Sequence, residues 1–356
     1  MTSEPVVNID RIKSGLRPHL NRFSHVVVNV SDLDRAVEFY EATLPVRRVR
    51  RINGPAQAYA GLGIQRGQCR GWVLENKKDI GPPGDIIAEF PARRIYLIEW
   101  LTPAPVGTPY LEANHVGIYR QNVLVSNLNE AYQNVLDNGG RPYGEPSKIV
   151  LTPEGYGLTV FGFRDPDGNT LEMVGAETAP GDAIYPGMMH HCNLNVRDLA
   201  RSFHFYRDVI GLDMTVYLAP AEMQPVTNGS LGNLLRNPDG SIYTGNGMQF
   251  AAALFGLRGD SRSPLDVLQW HTPRPFGEPY RTPTNLGIVR IAIEVDDINA
   301  ARDRLVLCGL TNVGPVEKWD MGDLGRRRVV IFRDPDGIML ELTQQLSIPT
   351  EHPPFA

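Results

Sequence analysis

Two sets of polar side chains recur at matching positions in this sequence, and their types support different chemistry. The first set combines histidine with glutamate or glutamine: His25, Glu99, His191 and Gln269. The second set combines arginine with glutamate: Arg120, Glu172, Arg290 and Glu341. Imidazole nitrogens and side-chain oxygens are metal ligands, whereas a guanidinium has no lone pair to offer a metal. The first set therefore predicts a metal site, and the second predicts Arg–Glu pairs that are structural or bind an anion.

These residues lie in a chain whose two halves repeat each other. Residues 163–168 read FRDPDG, and residues 332–337 read the same. The pattern W-x-T-P-x-P-x-G-x-P-Y at residues 100–110 returns at residues 270–280. Because several motifs recur in the same order, we infer that the halves are homologous.

Each half is itself double. Residues 25–30, 115–125, 190–196 and 288–295 each predict a strand, because their pattern is one of alternation, and each strand is followed by a helical pattern. The repeating unit is strand, helix and three strands, so the sequence predicts an α+β fold of four βαβββ modules. The predicted boundaries are an N-terminal extension 1–24, module one 25–112, module two 113–176, a linker 177–187, module three 188–284, module four 285–346 and a tail 347–356.

The repeated motifs resemble those of the vicinal oxygen chelate superfamily, which includes glyoxalase I, type I extradiol dioxygenases and bleomycin resistance proteins. The resemblance rests on a first-strand histidine followed by V-x-D-L and F-Y, and on the D-P-D-G-x-x-L-E ending. It implies that modules pair into two cup-shaped β-barrels with flanking helices. It also implies that ligands come from the first and last strand of each paired module.

Two ways of pairing the modules remain open. Pairing one with two and three with four would place an arginine beside each metal, which its permanent charge would repel. We favour pairing one with three and two with four, which gathers His25, Glu99, His191 and Gln269 around one Zn, Ni, Co, Mn or Fe ion. Domain exchange in a homodimer would give the same grouping.

The resemblance implies a metal-dependent enzyme acting on a small polyoxygenated molecule with adjacent oxygens. The metal would hold both oxygens, and Glu99 would act as the base that moves a proton next to a carbonyl. The reaction would be an epimerisation or isomerisation. Four-module cyclitol epimerases, such as 2-epi-5-epi-valiolone epimerase, are similar to this chain in length and layout.

Two other functions are compatible with the sequence. Extradiol ring cleavage uses two histidines and a glutamate of the C-terminal half, and the chain matches these with His191 and Glu341 but has Arg290 at the second histidine. A non-enzymatic binding protein of the bleomycin-resistance kind would instead have an aromatic cavity and no metal.

Composition narrows the partners. A net charge of −5 and a pI near 5.9 over 356 residues argue against a nucleic-acid or anionic-membrane surface. No apolar run approaches the roughly 20 residues that span a bilayer. The polar N-terminus and the odd number of cysteines (Cys69, Cys192 and Cys308) indicate a cytoplasmic protein with reduced thiols.

Overall fold

A computed structural model describes residues 15–77, 94–125, 127–150, 157–175, 188–218, 234–244, 248–257 and 265–347. The predicted linker 177–187 and most of the predicted N-terminal extension and C-terminal tail lie outside these residues. Four βαβββ modules are present in the predicted order, and they form two mixed sheets with few helices. The predicted α+β fold is confirmed.

Every module has a strand, a helix and three main strands in that order, and modules one and two each have one additional short strand. Module one contains β1 (Leu20–Asn29), α1 (Leu33–Thr43), β2 (Val46–Ile52), β3 (Gln57–Tyr59), β4 (Ile64–Asn76) and β5 (Arg94–Thr102). Module two contains β6 (Gly117–Val125), α2 (Leu128–Asp137), β7 (Arg141–Pro142), β8 (Ser147–Val150), β9 (Gly157–Arg164) and β10 (Thr170–Gly175). Module three contains β11 (Met188–Asn195), α3 (Leu199–His204) with a π-helical turn (Phe205–Ile210), β12 (Asp213–Leu218), β13 (Gln249–Gly256) and β14 (Leu265–Thr272). Module four contains β15 (Gly287–Val295), α4 (Ile298–Leu307), β16 (Glu317–Asp320), β17 (Arg326–Arg333) and β18 (Met339–Ser347).

Module one pairs with module four, and module two pairs with module three. Sheet one has the strand order β16-β17-β18-β15-β1-β5-β4-β2, with β3 beside β4. Sheet two has the order β12-β13-β14-β11-β6-β10-β9-β7, with β8 beside β9. The first strands join each pair of modules, since β1 runs antiparallel to β15 and β6 runs antiparallel to β11. The favoured pairing of one with three and two with four is therefore wrong, and so is the usual pairing of one with two.

The helices begin where an acidic or amide side chain caps them. Asp32, Asn127, Asp198 and Asp297 each accept a hydrogen bond from a backbone N–H in the first turn of the helix that follows. Such caps satisfy donors that have no partner inside the helix. The recurring aspartate or asparagine therefore fixes where each helix starts against its sheet.

In each half of the chain, the D-P-D-G motif links the two modules of that half. Asp165 accepts a hydrogen bond from the Tyr40 hydroxyl at 3.2 Å, and Asp334 accepts one from the Tyr206 hydroxyl at 3.0 Å. Burial raises the pKa of Asp334 to about 7. The recurrence of F-Y together with D-P-D-G thus has a structural cause, because tyrosine and aspartate bond across modules.

Alternate residues of each strand face opposite sides of the sheet, which separates the apolar core into three clusters. The largest cluster packs the helices against the convex faces of both sheets. The second fills the concave face of sheet one, here called cup one, and includes Tyr96, Trp100 and Trp319. The third lies on the concave face of sheet two, here called cup two, and includes Tyr119 and Trp270. Within the described residues, no helix is long and apolar enough to cross a membrane.

Candidate active site

Strand register shows which residues occupy equivalent positions in the two cups. In sheet two, Glu172 lies beside Asn122 of the first strand of its module, and Asp266 lies beside Asn193. In sheet one, Glu341 lies beside Ala292, and Tyr96 lies beside Val27. Each first strand adds its histidine or arginine two residues earlier. Cup two therefore contains Arg120, Glu172, His191 and Asp266, and cup one contains Arg290, Glu341, His25 and Tyr96.

Two asparagines link the four functional groups of cup two into one network. Arg120 pairs with Glu172 at 2.9 Å and donates through Nε to Asn193 Oδ1, also at 2.9 Å. Asn193 in turn donates to Asp266 Oδ2. Asn122 Nδ2 donates to Glu172 Oε1 and to His191 Nε2, both at 2.9 Å. Each asparagine lies in a first strand two residues after the arginine or the histidine, so period-two alternation brings all of them to one face.

Asp266 is the buried acid of this network. Its Oδ2 lies 3.6 Å from His191 Nε2, and its Oδ1 is buried without a hydrogen-bond partner among the described residues. Burial raises the pKa of Asp266 to about 7; Arg120 opposes this rise and Glu172 adds to it. A carboxyl group with this pKa can both accept and donate a proton near neutral pH.

Cup one has the same histidine, arginine and glutamate but different neighbours. Arg290 Nε donates to Glu341 Oε2 at 2.7 Å, and His25 Nε2 lies 3.6 Å from Glu341 Oε1. The His25 ring stacks on Tyr96 with 3.6 Å between ring centroids. Burial lowers the pKa of His25 well below its usual value, and nearby Arg327 and Arg290 lower it further. His25 is therefore a buried neutral group.

Glu99 and Gln269 do not face either cup. Glu99 Oε2 accepts a hydrogen bond from the backbone N–H of Leu33 at 3.0 Å, and Gln269 Oε1 accepts one from the backbone N–H of Leu199 at 2.8 Å. Leu33 and Leu199 are the first residues of α1 and α3. Both side chains thus lie on the helix side of their strands, where an acceptor satisfies an unbonded helix amide. Arg70 also binds Glu99, at 2.8 Å.

The four predicted metal ligands are therefore not brought together. His25 and Glu99 belong to sheet one, whereas His191 and Gln269 belong to sheet two. In the described part of the chain, no three His, Cys, Asp or Glu side chains form a group that could hold a metal ion. In cup two, the potential metal ligands that lie nearest to each other are His191 and Asp266, whereas the Glu172 carboxylate is paired with Arg120. The residues as arranged do not fit a three- or four-ligand metal site.

Both predicted Arg–Glu pairs occur in the structure, each within one module. They explain why the pairing argument failed. An arginine neutralised by its own module's glutamate does not have to be segregated from the histidines.

Asp266 was missed at the level of sequence, and so was Arg327, whose side chain lies among the aromatic residues of cup one. Asp266 is the single acid of the apolar run LDVLQW, where an unpaired carboxylate is costly. This feature could have identified Asp266 from the sequence. Gln269 in the same run aligned with Glu99, however, and was predicted to be the metal ligand instead.

The comparisons with known proteins agree with the fold. A lactoylglutathione lyase from Arabidopsis thaliana is 26% identical over 192 residues, which cover 54% of this chain and 55% of that protein. A putative lactoylglutathione lyase from Brassica oleracea var. gemmifera gives the same identity and coverage. The alignments thus span just over half the length of these relatives.

Solved structures of glyoxalase I from Zea mays have a similar fold. One superposes with a TM-score of 0.57 at 15% sequence identity, covering 92% of this chain and 94% of that chain. A mutant of the same enzyme gives the same TM-score over 91% of this chain. The family model for the Glyoxalase/Bleomycin resistance protein/Dioxygenase superfamily matches residues 22–173 and 188–342. The chain belongs to this superfamily.

Proposed function

We propose that this chain is a glyoxalase-like enzyme that moves a proton at a carbon next to a carbonyl group, and that cup two is its active site. The observation that carries the proposal is the buried Asp266 facing His191, with one carboxylate oxygen left without a hydrogen bond. The substrate would be a small molecule with adjacent oxygens. The relatives named lactoylglutathione lyase support chemistry of this class.

Asp266 and His191 would act as the acid and the base. The deprotonated member takes the proton from the carbon, the electron pair of the C–H bond forms the C=C bond of an enolate, and the π pair of the carbonyl moves onto its oxygen. The proton is then returned to the neighbouring position for an isomerisation, or to the opposite face of the same carbon for an epimerisation. The contact between Asn122 Nδ2 and His191 Nε2, at 2.9 Å, would hold the imidazole ring in position.

Arg120 would stabilise the enolate oxygen. Its guanidinium is permanently charged and is held in place by Glu172 and Asn193. A positioned cation in a largely buried site is worth far more to a developing negative charge than the same cation in water. The ion pair with Glu172 therefore orients the group that meets the substrate oxygen.

The predicted divalent metal remains a prediction, and no step above uses it. Elemental analysis of the purified protein tests it directly. One equivalent of metal that is lost in both His25→Ala and His191→Ala would support the original four-ligand site. One equivalent that is lost only in His191→Ala and Asp266→Asn would instead place an ion in cup two.

The reaction is tested by solvent exchange. The protein is incubated in D₂O with lactoylglutathione or with a cyclic hydroxyketone, and deuterium at the carbon next to the carbonyl is followed by proton NMR. We expect Asp266→Asn to slow exchange by about 10²–10⁴-fold, the usual contribution of a general acid or base. The matched control is Glu99→Gln, which changes a carboxylate to an amide on the other face of a last strand.

Absence of exchange with all of these compounds, together with tight binding of one of them, would favour a non-enzymatic binding protein. The ring-cleavage alternative has less support, since His191 and Glu341 belong to different sheets. Oxygen consumption with a catechol would nevertheless overturn the proposal.

A further inference from the structure

We propose that cup one is a binding site for a small monocarboxylate, held by Arg290 and Arg327. This inference concerns the other sheet and does not depend on the reaction proposed for cup two. Both arginines are almost completely buried, with 5% and 3% of their surfaces exposed. Such burial of a guanidinium is rare without a compensating partner.

The charges of cup one do not balance. Arg290 is neutralised by Glu341, whose carboxylate accepts from its Nε at 2.7 Å. Arg327 donates to the Tyr96 hydroxyl at 3.1 Å and to Gln345 Oε1 at 3.0 Å, and both of these partners are neutral. No ion pair to Arg327 is found among the described residues, so one buried positive charge is left over.

Each guanidinium also has an N–H without a hydrogen-bond partner among the residues that the structure describes. Arg290 Nη1 and Arg327 Nε are buried and have no hydrogen-bond partner in the described part of the chain. Unsatisfied buried donors are uncommon in native proteins, and an ion or ligand is one of the few explanations for them. Both atoms are donors, so the missing partner is an acceptor.

In cup two, the equivalent arginine has an additional hydrogen-bond acceptor. There Arg120, the equivalent of Arg290, donates through Nε to Asn193, but cup one has Val27 at the asparagine position. Register also places Leu158 at the position of Arg327, since Ile331 lies beside Glu341 as Gly162 lies beside Glu172. Cup one has therefore lost an acceptor and gained a cation relative to cup two.

The side chains around the two arginines are compatible with the apolar part of a carboxylic acid. The Arg290 guanidinium lies 5.7 Å from the centre of the Trp319 ring, and that of Arg327 lies 5.4 Å from the centre of the Tyr96 ring. A single negative charge would balance the single excess positive charge. A carboxylate offers two acceptor oxygens for such donors, and its apolar part would contact aromatic rings. These features favour a monocarboxylate over a dianionic phosphate.

Thermal unfolding of the full chain tests the site. Sodium acetate, benzoate and phosphate are compared with sodium chloride at equal ionic strength, for wild type, Arg327→Leu and the control Arg328→Leu. Arg327→Leu installs the residue of cup two, and Arg328 is the neighbouring arginine on the opposite face of β17. We expect acetate and benzoate to raise the Tm of wild type and of Arg328→Leu by about 5 °C at saturation.

In Arg327→Leu we expect this rise to disappear, while the Tm without ligand stays equal or increases because an unbalanced charge has been removed. Arg327→Gln, which keeps hydrogen-bonding capacity without the charge, should behave in the same way and serves if the leucine variant does not fold. Equal Tm values in carboxylate and chloride, or a rise retained without Arg327, would overturn the proposal. A response to phosphate alone would overturn the choice of a monocarboxylate.

Discussion

Cup one and cup two have the same architecture and share three residue types at equivalent positions, yet their polar groups are organised differently. In cup two, Asn122 and Asn193 connect arginine, glutamate, histidine and aspartate in one network. In cup one, apolar or aromatic residues (Ala292, Val27 and Tyr96) replace both asparagines and the aspartate. Repeating a module preserves the sheet, and a few substitutions on its concave face then change what the sheet can bind or catalyse.

The unsatisfied atoms of the two cups show the same contrast. Among the described residues, cup one contains N–H donors of two arginines without partners, whereas cup two contains a carboxylate and an amide oxygen without partners (Asp266 Oδ1 and Asn122 Oδ1). Donors attract an anion, and acceptors attract a proton or a hydroxyl group. We therefore infer that the two cups have different functions, with proton transfer in cup two and anion binding in cup one.

The largest expected effect on stability concerns the arginine of cup one. Arg290→Leu leaves Glu341 buried without its cation, and removal of one partner from a buried pair costs about 3–5 kcal/mol. Arg120→Leu should cost less, because Glu172 keeps the hydrogen bond from Asn122 and its pKa is already raised by burial, so it can take up a proton. Urea unfolding of both variants checks the order. A greater loss for Arg120→Leu would reverse the contrast between the cups.

The next effect is the pH dependence of stability, which distinguishes Asp266 from its counterpart Tyr96. The pKa of Asp266 is raised from 3.8 to about 7, so the folded state keeps a proton that the unfolded chain loses above pH 4. The free energy of unfolding therefore falls as the pH rises through this window, by about 1.36 kcal/mol per pH unit.

Between pH 5 and pH 8 this contribution amounts to about 2–3 kcal/mol. Asp165 and Asp334, with pKa values raised to about 6 and about 7, act in the same direction but are unchanged in Asp266→Asn. Urea unfolding at the two pH values should thus show a weaker pH dependence in Asp266→Asn than in wild type. Identical pH dependence would mean that Asp266 is not the buried acid described here.

The smallest expected effect is that of Glu99→Gln, which lies outside both cups. Module three already carries glutamine at the equivalent position, and its amide oxygen accepts the same helix N–H. The ion pair with Arg70, whose side chain is 42% exposed, is lost, and a pair of this kind contributes about 0–1 kcal/mol. Unfolding and solvent exchange should both stay close to wild type. A large loss of exchange would return Glu99 to the active site.

The sequence alone predicted the α+β fold of four modules, but it did not predict how the modules pair or how the site is arranged. The repeats, the strand–helix order and the two Arg–Glu pairs follow from local patterns such as D-P-D-G and F-Y. The pairing of modules does not, because β1 and β15 are both dominated by apolar residues and nothing in either sequence selects the other as its neighbour.

The sequence also could not predict which side chains of the last strands face the cups. Period-two alternation tells which residues share a face, but not which face is concave. In β5 both faces are apolar, since one packs on helices and the other lines the cup, so Glu99 stood out by polarity alone. Register with the first strand was needed to identify Tyr96 and Asp266 as the equivalent positions.

The most direct test of whether the two cups have different functions is a matched pair of glutamate variants. Glu172→Gln and Glu341→Gln change the same residue type, at equivalent positions and with an arginine partner in each cup. We compare the rate of solvent deuterium exchange per folded molecule, with folding verified by circular dichroism. The account predicts a loss of about 100-fold for Glu172→Gln, because Arg120 is no longer oriented, and a rate within about threefold of wild type for Glu341→Gln. Equal losses in both variants, or a greater loss in Glu341→Gln, would contradict it.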